Sequence, residues 1–195
     1  DVSTNWNAGA GPLPGSSDSI RITEGYTATI KTGVDGTSAK VTLGGFSFAG
    51  TLIVDAGGTL SLGSVDSTIA TSRKTGTLDV SGTVSGTGDF LIGAGSTSTG
   101  TVLVKSGSLS MGAISLGNGS SAGTYSVTQT GGAVSLTGDL VIADGDDSAS
   151  SGTYTISGGS LSAIRLDTGG NGTSTAKFSV DGSDATNISF SGTSS

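Results

Sequence analysis

The sequence predicts an all-β fold, a parallel β-helix (β-solenoid) with coils of about 25 residues. Three observations predict it. A short motif recurs at a near-constant spacing, its apolar residues alternate with period two, and no apolar stripe of helical spacing runs through the 195 residues. An antiparallel β-sandwich is the alternative, since closely spaced short strands also suit that fold. A sandwich, however, does not ask for a fixed repeat.

The motif has the form Thr-ϕ-x-ϕ, where ϕ is apolar, and stands at 51–54, 77–80, 101–104, 124–127 and 153–156. Lys-Phe-Ser-Val at 177–180 makes a sixth copy, and the starts lie 26, 24, 23, 29 and 24 residues apart. Aligned on these starts, one inward column reads Leu52, Leu78, Val102, Tyr125, Tyr154 and Phe178. Its neighbour reads Val54, Val80, Val104, Val127, Ile156 and Val180. Each buried aliphatic side chain contributes about 1.5–3 kcal/mol relative to exposure, so such columns can offset the ordering of a glycine-rich chain.

Each copy continues through a short turn into ϕ-Ser-ϕ, which places Ser61, Ser85, Ser110, Ser135, Ser162 and Ser189 in one outward file. The copy at Val84-Ser85-Gly86 is the weakest member. A third strand follows in four copies, through Phe90 and Ile92, Ile114 and Leu116, Leu140 and Ile142, and Ile164 and Leu166. Three short strands cannot bury a face alone. Stacked at about 4.8 Å, they enclose a continuous core.

The ends differ from the middle. Residues 1–19 hold Trp6, Pro12 and Pro14 and read as an N-terminal cap; 20–195 read as the solenoid, regular from 50 onward. Between them, strand-like runs at 20–22, 27–30, 40–43 and 46–48 keep a looser register. After Phe190 only Ser-Gly-Thr-Ser-Ser follows, so the last rung is expected to lack a polar cap and to act as an edge for self-association.

Composition narrows the setting. Glycine supplies 36 residues, serine 35 and threonine 29, which is just over half the chain, while Leu, Ile, Val and Phe number 43. That balance borders on disorder unless the apolar residues are concentrated by a repeat. Two prolines exclude collagen, and no apolar run is long enough to span a membrane as a helix. The net charge of −7 provides no basic patch for nucleic acid. The absence of Cys and a start at Asp1 without a hydrophobic leader suit a mature exported bacterial chain or a fragment, at the cell surface or secreted.

Candidate chemistry is sparse. Without His or Cys, the commonest general base and every thiol nucleophile are missing, so no enzyme is expected. Asp79, Asp89 and Asp139 do not share one column, as a carboxylate pair would require. Asp144, Asp146 and Asp147, with Asp167 in the next coil, are the candidate oxygen ligands for calcium, although neither an EF-hand nor a calcium β-roll spacing is present. The serine file suits either a glycan-binding surface or a solvated strand face with hydroxyl ladders. Ice binding asks for outward threonine pairs on successive rungs, and among the Gly-Thr segments only Thr153 and Thr155 form one. Ile53, Leu103, Leu91 and Val141 take outward slots, where apolar residues can mark a partner surface. Asn118, Asn171 and Asn187 each begin an N-glycosylation triplet.

The segments Gly-Thr-Tyr-Ser-Val-Thr-Gln-Thr-Gly-Gly-Ala-Val-Ser-Leu-Thr-Gly at 123–138 and Gly-Thr-Tyr-Thr-Ile-Ser-Gly-Gly-Ser-Leu-Ser at 152–162 resemble β-strand repeats of bacterial secreted surface proteins. These include autotransporter passenger segments and sorting-signal proteins. The opening, Asn5-Trp6 to Pro14 and then Asp18-Ser-Ile, is similar to the start of such modules. The resemblance implies export and a solenoid, and it assigns no active site. The expectation is thus an extracellular structural or adhesive solenoid, a subunit of a fibre or surface layer, with self-association through its ends or contact with neighbouring surface proteins. A carbohydrate-binding or polysaccharide-processing β-helix is the alternative, and an ice-binding protein a third reading.

Overall fold

The protein is a parallel β-solenoid in the computed structural model, which describes residues 14–45, 47–71, 73–94, 97–118, 122–144, 150–168, 174–182 and 187–192. Three strands make each coil. The first coil is β1 (Ser19–Ile22), β2 (Thr27–Ile30) and β3 (Asp35–Ser38); the second is β4 (Lys40–Leu43), β5 (Gly50–Val54) and β6 (Thr59–Leu62). The third is β7 (Ser67–Ile69), β8 (Thr75–Val80) and β9 (Thr83–Ser85); the fourth is β10 (Phe90–Ile92), β11 (Thr99–Val104) and β12 (Ser108–Met111). Next come β13 (Ile114–Leu116), β14 (Thr124–Gln129) and β15 (Ala133–Leu136), then β16 (Leu140–Ile142), β17 (Ser151–Ile156) and β18 (Ser160–Ala163). The last coil is β19 (Leu166–Asp167), β20 (Thr175–Val180) and β21 (Asn187–Phe190).

Every strand pairs in parallel with the strand three places on, which gives three seven-stranded sheets. Sheet 1 runs from β1 to β19, sheet 2 from β2 to β20 and sheet 3 from β3 to β21. This excludes the antiparallel sandwich. Inward positions of all three sheets form one apolar column from Ile20 to Ala163. Coiling begins at Ser19, and the early strands already keep register, as Thr27 pairs with Thr51 and Ile30 with Val54. The run at 46–48 forms no strand among its described residues, and Phe48 is exposed. Trp6 and Pro12 lie outside the described residues.

The register of sheet 2 departs from the sequence alignment at one rung. Val102 pairs with Val127 and Val104 with Gln129, while Tyr125 pairs with Gly100 and with Gly152. Val127 therefore continues the column of Leu52, Leu78, Val102, Tyr154 and Phe178, and Gln129 enters the column assigned to Val127. A slip of two residues keeps the same face inward, so alternation alone does not reveal it. In the observed register the sheet 2 repeat is 24, 26, 24, 25, 27 and 24 residues, more even than the motif starts implied. A second correction falls in sheet 1. Leu166, and not Ile164, pairs with Leu140, and Ile164 is left exposed at the corner.

Tyr125 stands in a column otherwise filled by Gly50, Gly76, Gly100, Gly152 and Ala176. At Gly76 an added Cβ would come within 2.6 Å of the Leu43 carbonyl, so this column normally runs against the backbone of the corner below. Tyr125 fits because Gly93 and Gly123 vacate the space of its ring. Its hydroxyl lies 3.4 Å from the Ser98 hydroxyl.

The two ends are unequal. In the first coil Ile20, Ile22 and Ile30 are buried, whereas in the last coil Val180 is 56% and Phe190 38% exposed. An aromatic file leads out to that last rung, with Tyr154 stacked on Phe178 at 5.6 Å and Phe178 edge-on to Phe190 at 6.4 Å.

Candidate functional site

Two of the three outer faces are files of small hydroxyls. On sheet 3 the predicted serine file forms, led by Thr37 and continuing from Ser61 to Ser189 through paired neighbours. A second file beside it holds Thr59, Thr83, Ser108 and Ser160, with Ala133 in between. Ser162 donates to Ser135 at 3.2 Å and Ser108 to Thr83 at 3.4 Å, so part of this array bonds rung to rung.

Sheet 2 carries the feature that the alignment overlooked. Strands β8, β11 and β17 begin two residues before the motif and β14 begins on it, so Thr75 joins Thr77, Thr99 joins Thr101, Thr124 joins Ser126 and Ser151 joins Thr153 on the outer face. The register keeps these pairs in two parallel files over four consecutive rungs. The hydroxyl pairs thus repeat at about 4.8 Å between rungs and just under 7 Å along the strand. Thr153 and Thr155 are one pair among several. The signal was the repeated Thr-Gly-Thr at 75–77 and 99–101, with Ser-Gly-Thr at 151–153.

The outward apolar residues do not merge into a patch. Asp79 separates Ile53 from Leu103, and Ser115 separates Leu91 from Val141. Charged groups tie coil to coil. Lys105 pairs with Asp79 and Arg165 with Asp139, both at 2.6 Å and both across 26 residues of sequence. The Arg165 hydrogen bond holds the Asp139 carboxyl below its usual range. Asp79 Oδ1 is buried without a hydrogen-bond partner. Asp89 and Asp139 precede equivalent strands two rungs apart, β10 and β16, and Asp79 lies on a different sheet. The three carboxylates form no pair around a common point.

The acidic loop is described only in part. Asp144 follows β16, and its Oδ2 accepts from the Ser115 hydroxyl at 2.7 Å and the Asn118 amide at 2.8 Å. Asp167 is exposed in β19, paired in the ladder with Val141, and Asp146 and Asp147 lie outside the described residues. Among the described residues no three acidic side chains converge on a point that would hold a cation. Asn118 is exposed, Asn187 opens β21, and Asn171 lies outside the described residues.

Inside the column, sequence reasoning missed one polar group. Gln129 is buried; its amide donates to the Ser160 carbonyl at 2.9 Å and the Gly132 carbonyl at 3.3 Å, and its Oε1 accepts from Tyr154 at 2.7 Å. Burial pushes the Tyr154 phenol well above its ordinary value, which keeps it a neutral donor. This network joins two successive coils and is structural in character.

No protein-family model, curated protein or solved structure matches this chain.

Proposed function

We propose that the chain is an extracellular structural or adhesive β-solenoid, displayed at a bacterial surface as a unit of a fibre or surface layer. The single observation that carries this reading is how the side chains are spent. Apolar residues fill one inner column, small hydroxyls cover two faces, and both ion pairs among the described residues run between coils. Such a chain is a stiff rod whose chemistry serves its own stacking. The exposed Val180 and Phe190 support self-association at the last rung. Light scattering from micromolar to millimolar protein tests it: mass should rise with concentration, and Val180→Lys with Phe190→Lys should suppress the rise. A strict monomer throughout counts against the fibre reading.

A second reading is favoured by the paired threonine files of sheet 2. A flat, regularly spaced hydroxyl array suits an ordered surface, either ice or an insoluble polysaccharide. Thermal hysteresis and retention on cellulose or chitin separate these, with Thr99→Lys and Thr101→Lys as the disabling change. No effect in either measurement removes the reading.

A further inference from the structure

Connection length in this solenoid is concentrated at one corner. The loops from sheet 1 to sheet 2 span four to eight residues, whereas among the six coils that lead on to another the other two corners use one to four. Loops that vary along one edge of a repeat array are where binding surfaces are usually built. Backbone strain gathers there too. Ala70, Arg73, Thr97 and Ala143, the four non-glycine residues with positive φ among the described residues, all sit at this corner.

On its first three coils the corner presents one combination of side chains. Tyr26 is 53% and Phe48 54% exposed, and Arg73 and Lys74 are exposed on the next coil. The loops are laced together: Gly25 N donates to the Ala49 carbonyl at 2.7 Å, Thr51 N to the Tyr26 carbonyl at 3.0 Å, and the Thr71 hydroxyl to the Gly44 carbonyl at 2.7 Å. Neither Arg73 nor Lys74 has an ion-pair partner among the described residues. Glu24 is the one acidic group on these three loops. The wider field points the same way. Residues 1–74 hold five Lys and Arg against six acids, whereas 75–195 hold three against nine, so the far part of the rod repels a polyanion more strongly than this end does.

We infer that this corner is a binding ridge for an acidic polysaccharide. Exposed aromatic rings offer faces for the C–H groups of pyranoses, and Arg73 with Lys74 offers charge to uronate carboxylates. Coils spaced at about 4.8 Å set these groups at intervals close to one sugar of an extended chain lying along the rod. The ridge goes beyond the structural reading and is independent of self-association, so the light-scattering result does not decide it.

Affinity electrophoresis of the whole chain through gels holding polygalacturonate, alginate or neutral dextran tests the ridge. Expected is retardation by the polyuronates alone, weakened about tenfold by Tyr26→Ala with Phe48→Ala. Arg73→Gln with Lys74→Gln should weaken it by a similar factor at low salt, while Lys177→Gln, far along the rod, should not. These positions are exposed, and circular dichroism confirms that the variants fold. No retardation of the wild type, equal retardation in dextran, unchanged binding by both double variants, or equal binding to RNA or anionic vesicles would each overturn the inference.

Discussion

The fourth and fifth rungs of sheet 2 are neighbours that solve one packing problem in opposite ways. In β11 the residue against the corner is Gly100, followed inward by Val102 and Val104. In β14 the same three positions hold Tyr125, Val127 and Gln129. The first rung works by leaving space out and the second by filling space that its neighbours have vacated. A solenoid rung can therefore accept a bulky or polar inward residue, provided the adjacent coils yield volume or hydrogen bonds.

Breaking that exchange should produce the largest effect. Gly93 has φ +92°, and the Tyr125 ring fills the place of its Cβ. Gly93→Ala adds left-handed strain to overpacking and should cost about 3 kcal/mol in urea denaturation. Gly33 also has positive φ but open space around its Cβ position, so Gly33→Ala should cost only about 1 kcal/mol. Equal losses at the two sites would show that backbone conformation alone, and not the tyrosine, governs the fifth rung.

The polar half of the comparison comes next. Tyr154→Phe removes the donor to Gln129 Oε1 and leaves a buried acceptor unsatisfied, at a cost of about 1–3 kcal/mol. In a double-mutant cycle with Gln129→Leu the two losses should be less than additive, because each single change strands the other's group. Strict additivity would mean that the two side chains do not act as a pair.

The smallest effect lies on the outside of the later rungs. Arg165, chiefly through its hydrogen bond, lowers the Asp139 pKa. A carboxyl with a lowered folded pKa stabilises fully above its unfolded value, about 3.9, and that contribution disappears as pH falls through the lowered value. Asp139→Asn should therefore lower the melting temperature slightly at neutral pH and not at all in strong acid. The neutral-pH loss should shrink with added salt. A loss that persists in acid would assign the effect to packing.

The contrast between these rungs also explains what was legible in the sequence. The coil, its period and the serine file of Ser61 to Ser189 followed from alternation and spacing. Tyr125 was misplaced because Thr-Tyr-Ser-Val at 124–127 looks like Thr-Tyr-Thr-Ile at 153–156, and a two-residue slip leaves every side chain on its own face. Only the evenness of the repeat distinguishes the two registers. Ile164 was misplaced by the same ambiguity, at the last strand of sheet 1. The threonine pairs and the aromatic corner needed three dimensions. Thr75 and Thr99 belong to strands longer than the motif, and Tyr26, Phe48 and Arg73 come to the same corner only when successive coils stack.

The loops of four to eight residues at the corner between sheets 1 and 2 also govern how such a chain can change. Because closing a flexible loop grows costlier only logarithmically, each doubling of length there adds about 0.6 kcal/mol. The inner column runs on undisturbed beside it. That edge works as an open margin: sequence can be inserted, deleted or exchanged there while the pitch of the rod and the alignment of its hydroxyl files stay fixed. A grafted peptide placed between Gly117 and Gly123 would inherit a rigid frame and a known height along the axis.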